Sequence, residues 1–526
     1  MALRPYQQGA IDAVLAARQR GTRRQLVCLP TGAGKTVIFA ELARLARRQV
    51  LVLAHREELL QQAKDKLVRA LGDERAVAIE RGSERGAAEA KVLVCSIRSL
   101  HERRLAQVMA ARQLGLIVYD ECHHAAAEDN LRVLRQLGVF EPQFAGTLLG
   151  FTATTARGDG RGLDSVFERI VFARTLPELI DDGYLVKLRG FRIRTSADLT
   201  RLSGGGADFR EEELAEAVDI EERNALVARS IQELARDRRT IAFCVTVQHA
   251  RHLSHALNAV GVPAGVVHGA MPADARAHAL SELRTGKVQV LCNVAVLTEG
   301  FDEPSVSCVA MARPTRSAGL YAQCVGRGTR LHPGKSDCLV LDFVDASELS
   351  LCGLPSLFGV PSGLDLRGAD VSEARRVWRQ IELDHPGFEL EAGSFTLPEI
   401  VARAQAFDPL GLSTAEDVRA ISHHAWFSLG RYGLGLHFER WPGKTCEVTV
   451  LKRAERGKRW EVALDGQVKE RFSTIEAAVE AVDYEIARMG PRASASALAD
   501  APWRAGRADA LRLAVWRRVA LGERAT

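Results

Sequence analysis

The first 186 residues alternate short β-branched apolar runs with stretches of helical periodicity. The runs are "QLVCL", "VLVLA", "KVLVC", "LGLIVYD" and "GTLLGFT". Runs of this kind read as strands buried on both faces, and their separation by helices predicts a parallel sheet covered on each side. The rhythm resumes with "TIAFCV", "AGVVH", "VQVLCN", "VSCVAM" and "DCLVLDF", which predicts a second α/β lobe over 187–350. The join falls at "GYLVKLRGFRI", and "LSGGGAD" (Leu202 to Asp208) reads as a loop inside the second lobe.

Beyond 350 the periodicity changes. "LPSLFGVPSGLDL", punctuated by Pro and Gly, reads as an irregular arm packed against the second lobe. A mostly helical accessory region is expected over 351–440, and a small α+β (βββα) module over 441–490. Its strands are "CEVTVLK", "RWEVAL" and "QVKERF", with a D-G turn at Asp465-Gly466. Ser473-Thr474-Ile475-Glu476 has the S-x-x-E form of a capping box that would start its helix. The remainder, 491–526, is a basic tail.

A chain of 526 residues is too long for one core. Aromatics make up only 6%, so Ala, Leu and Val must fill the cores. No apolar run approaches the roughly 18 residues of a membrane span, and "MALRPYQQGA" has no signal core. A cytoplasmic location and no membrane partner are therefore expected. The ten cysteines lie scattered in apolar runs without a C-x-x-C pair, which predicts buried reduced thiols, no disulfide framework and no zinc site. The net charge of +5 is mild, but residues 488–526 carry eight Arg against three Asp or Glu. A second basic run is "LKRAERGKRW". Such clusters suit phosphate-rich partners, and a solvated helix face is the plainer alternative for the tail.

Two stretches carry chemistry. "LPTGAGKT" (Leu29 to Thr36) follows a strand run and opens an apolar helix. Its Thr31, Gly32, Ala33 and Gly34 can wrap phosphates with backbone N–H groups at a helix N-terminus. Lys35 would then reach the β- and γ-phosphates, and Thr36 would place its hydroxyl on Mg²⁺. The full Walker spelling wants Gly at position 29, where this chain has Leu29; the shorter G-x-G-K-T form remains. The chain has 11 Lys against 60 Arg, and Lys35 is the first lysine, so this position selects a compact ammonium.

The second stretch is "LIVYDECHHA" (Leu116 to Ala125), a strand running into paired carboxylates. Read alone, D-E-C-H is compatible with a polar turn. With a phosphate loop on another strand, Asp120 suits holding Mg²⁺ and Glu121 suits orienting and deprotonating the attacking water. Adjacent buried carboxylates would otherwise be costly. His123 has the chemistry of a zinc ligand, but no cysteine pair at ligand spacing accompanies it. The better reading directs it toward "TAT" (Thr152 to Thr154), coupling nucleotide state to the lobe.

On these residues the chain resembles superfamily 2 helicases and translocases of the DExH type, here spelled DECH. "LRPYQ" resembles the adenine-sensing motif, "LVLAHREELLQQ" motif Ia, and "VCSIRSL" the following strand-contacting motif. "FCVTVQHA", "NVAVLTEGFDEP" and "QCVGRGTR" resemble motifs IV, V and VI. The wording is similar to bacterial RadD-like repair helicases and to restriction-type translocase subunits. The resemblance implies two tandem RecA-like domains enclosing ATP. Arg4, Tyr6 and Gln7 would receive the adenine, and Asp302 would contact the ribose or link the nucleotide to the strand. Arg327 and Arg330 would act as arginine fingers, with Gln323 helping to position water. It also implies a nucleic-acid track at Arg56, Ser96, Ser99, Gln248, His268, Thr298 and Gly300.

The 441–490 module is similar in layout to AP2/integrase DNA-binding modules, which would put Arg453, Arg456, Lys458, Arg459 and Trp460 on a groove-reading sheet face. The leading expectation is an ATP- and Mg²⁺-using DNA helicase or translocase in repair or recombination. DNA, single-stranded, duplex, forked or branched, is the expected partner, with repair or single-strand-binding proteins beside it. The motor subunit of a restriction-type system and an RNA helicase are the alternatives. A silent scaffold conflicts with intact Lys35, Glu121 and Arg327.

Overall fold

The computed structural model describes residues 3–54, 57–80, 86–153, 163–199, 202, 208–298, 303–346, 351–385, 388, 390, 393–406, 418, 421–429, 433–441, 444–452, 460–498, 501 and 515. The chain divides into two compact units, Met1–Arg375 and Arg376–Thr526.

The first unit holds two parallel sheets. The strands of the first are β1 (Arg24–Cys28), β2 (Gln49–Ala54), β3 (Val77–Glu80), β4 (Val92–Ser96), β5 (Leu114–Tyr119), β6 (Thr147–Thr152) and β7 (Arg169–Ala173). They are arranged β3-β4-β2-β5-β6-β1-β7, every pair parallel. The second sheet comprises β8 (Lys187–Asp198), β9 (Thr240–Phe243), β10 (Ala264–His268), β11 (Val290–Val294), β12 (Cys308–Met311) and β13 (Asp337–Ala346), arranged β10-β11-β9-β12-β13-β8 and again all parallel. The fold class is the doubly covered α/β design expected.

Three strands lay outside the apolar runs. β3 is a four-residue sheet edge that ends in the buried Glu80, and β7 is an edge with only exposed and half-buried positions. β8, expected as part of the join, is a twelve-residue strand paired along β13. Its alternating Arg and apolar residues reflect its place at the sheet's edge. The Pro/Gly-rich arm packs on it as expected. A Cβ on Gly190 of β8 would stand 2.8 Å from Leu354, and the Leu354 N–H donates to Asp342 of β13 at 2.9 Å.

The second unit is built on an antiparallel sheet. After the short strands β14 (Leu364–Asp365), still in the first unit, and β15 (Phe395–Thr396) come β16 (Phe427–Ser428), β17 (Gly433–Trp441), β18 (Lys444–Lys452), β19 (Trp460–Leu464) and β20 (Gln467–Phe472). These last five form one sheet in sequence order. The three expected strands are present, but two precede them, so strand replaces helix before 440. "GLGLHFERW" alternates Leu434, Leu436 and Phe438 inward; its glycines obscured the pattern, and a Cβ on Gly435 would collide with the Phe427 ring. Asp465 and Gly466 both take positive φ, 47° and 76°, as a tight D-G hairpin turn requires. The following helix, Ile475–Arg488, is capped one residue later than the capping-box reading: Thr474, not Ser473, accepts from the Ala477 N–H. Val479, Val482 and Ile486 of that helix close the core over Val448 and Val462.

The ten cysteines are free thiols, all but Cys352 buried. Among the described residues, no helix is long and apolar enough to cross a membrane. Nor does any group of three or more His, Cys, Asp or Glu have an arrangement that could hold a metal ion.

Candidate active site

Because every strand of the first sheet is parallel, the loops after β1, β5 and β6 emerge along one edge. β1 and β5 flank β6, so the phosphate loop and the D-E-C-H turn face each other across the end of β6. Leu29 N–H donates to the Thr152 carbonyl at 2.9 Å, tying the root of the loop to "TAT". Gly32 and Gly34 take left-handed φ of 86° and 74°, which curls the loop before the helix Lys35–Leu45 begins. A Cβ on Gly34 would lie 2.7 Å from Gln7 Nε2, so a side chain there would displace the Gln7 amide as well as strain the backbone.

Lys35 Nζ meets Glu121 Oε1 at 2.6 Å, both side chains about nine-tenths buried. Burial alone would lower the Lys35 ammonium pKa, but Glu121 and then Asp120 hold it above its ordinary value, while Arg327 opposes them. Burial alone would likewise raise Glu121; Lys35 and His123 instead bring it down to about 2. Asp120 is pushed up to about 6 by burial and by the adjoining Glu121 charge. One carboxyl is thus firmly ionised, and the other pays for ionisation until a cation approaches. Glu121 adopts φ 51°, a left-handed backbone that costs a non-glycine residue about 1–2 kcal/mol. His123 Nδ1 stands 3.4 Å from Glu121 Oε2 and its ring lies against His124. The expected coupling of His123 toward "TAT" would act from this position, on the short helix Cys122–His124 beside Glu121. Thr152 is fully buried, and Thr154 lies outside the described residues.

On the base side, the Tyr6 hydroxyl donates to the Ala33 carbonyl at 2.6 Å, and Gln7 Nε2 approaches the same oxygen at 3.4 Å. Gln7 Oε1 accepts from the Arg4 N–H at 3.0 Å. Arg4, Tyr6 and Gln7 therefore converge on the phosphate loop. Beside them lies a residue sequence reasoning missed: Tyr184, whose ring lies 4.8 Å from that of Tyr6 and whose carbonyl accepts from Arg4 at 3.1 Å. Its only signal was an aromatic between the glycine and the aliphatic pair Leu185-Val186 of the join.

The second lobe closes the site. A Cβ on Gly326 would stand 2.6 Å from Thr31 Cβ. One on Gly32 would stand 3.2 Å from Thr329, 3.3 Å from Leu185 and 3.4 Å from Arg330 Cγ. Arg327 is 3% exposed, near enough for its charge to oppose Lys35, and it donates through Nε and a terminal nitrogen to the Thr298 carbonyl at 3.2 and 2.6 Å. Gln323 is buried on the helix Ala318–Gly326. The arginines and the Lys35–Glu121 pair share one cleft.

Ser96 and His268 end β4 and β10, while Ser99, Gln248 and Thr298 follow β4, β9 and β11, so all five lie along the strands' C-terminal edges. Ser96 and Thr298 are buried, whereas Gln248 is exposed and contacts His252, which leans on Asp219. Trp460 packs against the module core beside Leu464 and Phe472, not on an exposed reading face, because alternate β19 side chains point toward the helix. Arg56, Gly300, Asp302, Arg453, Arg456, Lys458 and Arg459 lie outside the described residues.

Residues 1–157 match the family described as the res subunit of type III restriction enzymes, and residues 222–332 the helicase conserved C-terminal domain. A protein of Schizosaccharomyces pombe provisionally named as the mitochondrial ATP-dependent helicase irc3 is 35% identical over 366 residues, covering 68% of this chain and 60% of that protein. The Saccharomyces cerevisiae protein of similar name, IRC3, is 31% identical over 394 residues, covering 72% of this chain and 57% of its own length. The chain therefore spans somewhat under two thirds of these relatives. A solved fragment of a type I restriction HsdR subunit from Vibrio vulnificus, itself provisionally assigned, superposes with a TM-score of 0.51 at 25% identity, covering 64% of this chain and 63% of the fragment.

Proposed function

We propose that this chain, which belongs to superfamily 2 of the helicases, hydrolyses ATP between its two α/β lobes and uses the cycle to move on DNA. The observation that carries the reading is the shared cleft. Lys35, Asp120 and Glu121 come from one lobe, Arg327 and Arg330 from the other. Thr31 to Lys35 would hold the triphosphate, with Arg4, Tyr6 and Gln7 around the adenine. Glu121, kept ionised, would orient the attacking water and take its proton. Arg327 would meet charge developing on the γ-phosphate, which makes hydrolysis depend on the registration of one lobe against the other.

The donor set also suits Mg²⁺: Asp120 is a buried carboxyl whose ionisation is costly, and Thr36 brings a hydroxyl to the first turn of the helix. When bound, the ion would neutralise phosphate charge.

Movement follows if nucleic acid lies along the C-terminal strand edges of both lobes, across Ser96, Ser99, Gln248, His268 and Thr298. The Thr298 carbonyl holds Arg327, so a track residue and an arginine finger are one hydrogen bond apart. The names of the irc3 relatives favour a helicase, and the basic runs of the second unit suit a phosphate-rich partner, here taken as DNA in repair or recombination. The res-subunit and HsdR matches favour a second reading, the motor of a restriction-type assembly.

Glu121→Gln tests the site. The variant is expected to bind ATP and DNA while turnover falls by about 10³-fold or more; undiminished hydrolysis would remove Glu121 from the mechanism. ATPase rates measured with single-stranded, duplex and forked DNA and with RNA in parallel choose the substrate. Stimulation by RNA alone would reject the DNA reading.

A further inference from the structure

The segment joining the lobes is short and clamped at both ends. Helix Leu176–Asp181 stops at Gly183, which takes φ 74°. The N–H groups of Tyr184 and Leu185 both fold back to the Leu179 carbonyl, at 2.9 and 3.1 Å. At the next residue the Val186 N–H donates to the Thr329 carbonyl at 2.8 Å, and β8 begins at Lys187.

Three consecutive residues therefore touch three different parts of the nucleotide site. Tyr184 sets its ring 4.8 Å from Tyr6 at an interplanar angle of 57°, and the Arg4 guanidinium carbon lies 5.6 Å from the centre of that ring. Its carbonyl takes a hydrogen bond from the same guanidinium at 3.1 Å. Leu185 packs 3.3 Å from where a Cβ of Gly32 would be, on the phosphate loop. Val186 holds Thr329, between Arg327 and Arg330. Arg4 and Tyr6 in turn are fixed to the loop through Gln7 and Ala33.

We propose that Tyr184 is a positioning residue for the nucleotide base: its ring holds Arg4 and Tyr6 in place, so that recognition of adenine fixes the inter-lobe linker and, through it, the arginine-bearing segment. The proposal rests on reading Arg4, Tyr6 and Gln7 as the adenine site. Its physical content is a coupling. If the linker orders the base site, a base seated there orders the linker to the same extent. ATP would then be distinguished from other triphosphates by a residue that belongs to neither lobe's sheet. The interaction uses the ring face and the backbone carbonyl, so the phenolic hydroxyl is dispensable.

The test is steady-state hydrolysis by the full chain with saturating DNA, using ATP, GTP and CTP as separate substrates. Tyr184→Leu is expected to raise KM for ATP about three- to tenfold, by loss of the ring contacts, with less than about a twofold change for CTP and a smaller change in kcat. Tyr184→Phe restores the ATP preference. Tyr184→Met, which also lacks the ring, gives the same readout should the Leu variant not fold. A shift that is equal for ATP and CTP, or no shift at all, overturns the proposal, because a merely structural linker would not act on base identity. Gln7→Ala is measured alongside. If it erases base preference while Tyr184→Leu does not, the adenine reading stands and the role of Tyr184 falls; if Gln7→Ala leaves preference unchanged, the adenine reading fails and the proposal with it.

Discussion

His249 lies one residue beyond Gln248, buried under the second lobe's candidate track, and its Nδ1 accepts the Val245 N–H at 3.3 Å. Burial, then the buried Arg223, push its pKa from 6.5 down to about 4. The folded lobe thus prefers neutral His249. Its contribution is complete above pH 6.5 and is lost as pH falls from 6.5 toward 4. Asp342 acts with opposite sign. Burial raises it from 3.8 to about 6, so its ionisation weakens the fold as pH rises through that window. Near pH 5.5, one pH unit below its unfolded pKa, the histidine term is on the order of 1 kcal/mol. His249→Asn keeps an acceptor without the titration. The drop in the first unit's melting temperature between pH 7.5 and 5.5 should shrink in this variant; an equal drop in both proteins would assign the pH sensitivity elsewhere.

At the scale of elements, Thr474 caps the helix Ile475–Arg488 that closes the second unit's core. Thr474→Ala should lower that unit's unfolding free energy by about 1 kcal/mol and leave the DNA-free ATPase rate unaltered; a change in melting confined to the first unit would contradict the assignment. The same helix illustrates what the chain's pattern reveals. Its apolar periodicity was plain, whereas its start was read one residue early, because both Ser473 and Thr474 can cap and only the backbone turn selects between them. Buried parallel strands such as β2, β5 and β9 were legible because both faces are covered and most of their residues are apolar. Edge strands β7 and β8 were not, since much of each faces water and arginine dilutes the alternation; β3 was not because it is only four residues long and ends in a buried glutamate. The phosphate loop and D-E-C-H turn were legible for another reason: their residue types have few other uses at strand ends. Tyr184 and the Thr298 carbonyl were invisible, one because a lone aromatic in a linker carries no pattern, the other because a backbone acceptor carries no residue signature.

Across the first unit, the fit of the lobes is set by small residues. Gly326 ends the second-lobe helix against Thr31 of the phosphate loop, and a Cβ there would come within 2.6 Å of Thr31 Cβ. Gly326→Ala therefore wedges the cleft without straining its own helical backbone. Hydrolysis should fall at least tenfold while the melting temperature moves little; retained hydrolysis would mean that the lobes need not approach this closely during turnover. The most direct test of the shared cleft is Arg327→Ala, assayed for ATP binding and for DNA-stimulated hydrolysis on the same preparation. The expected result is an ATP affinity within about threefold of the unsubstituted protein and hydrolysis reduced by about 10³-fold or more. Hydrolysis at an undiminished rate would contradict the account, since Arg327, the buried second-lobe charge beside Lys35, would then contribute nothing to the reaction.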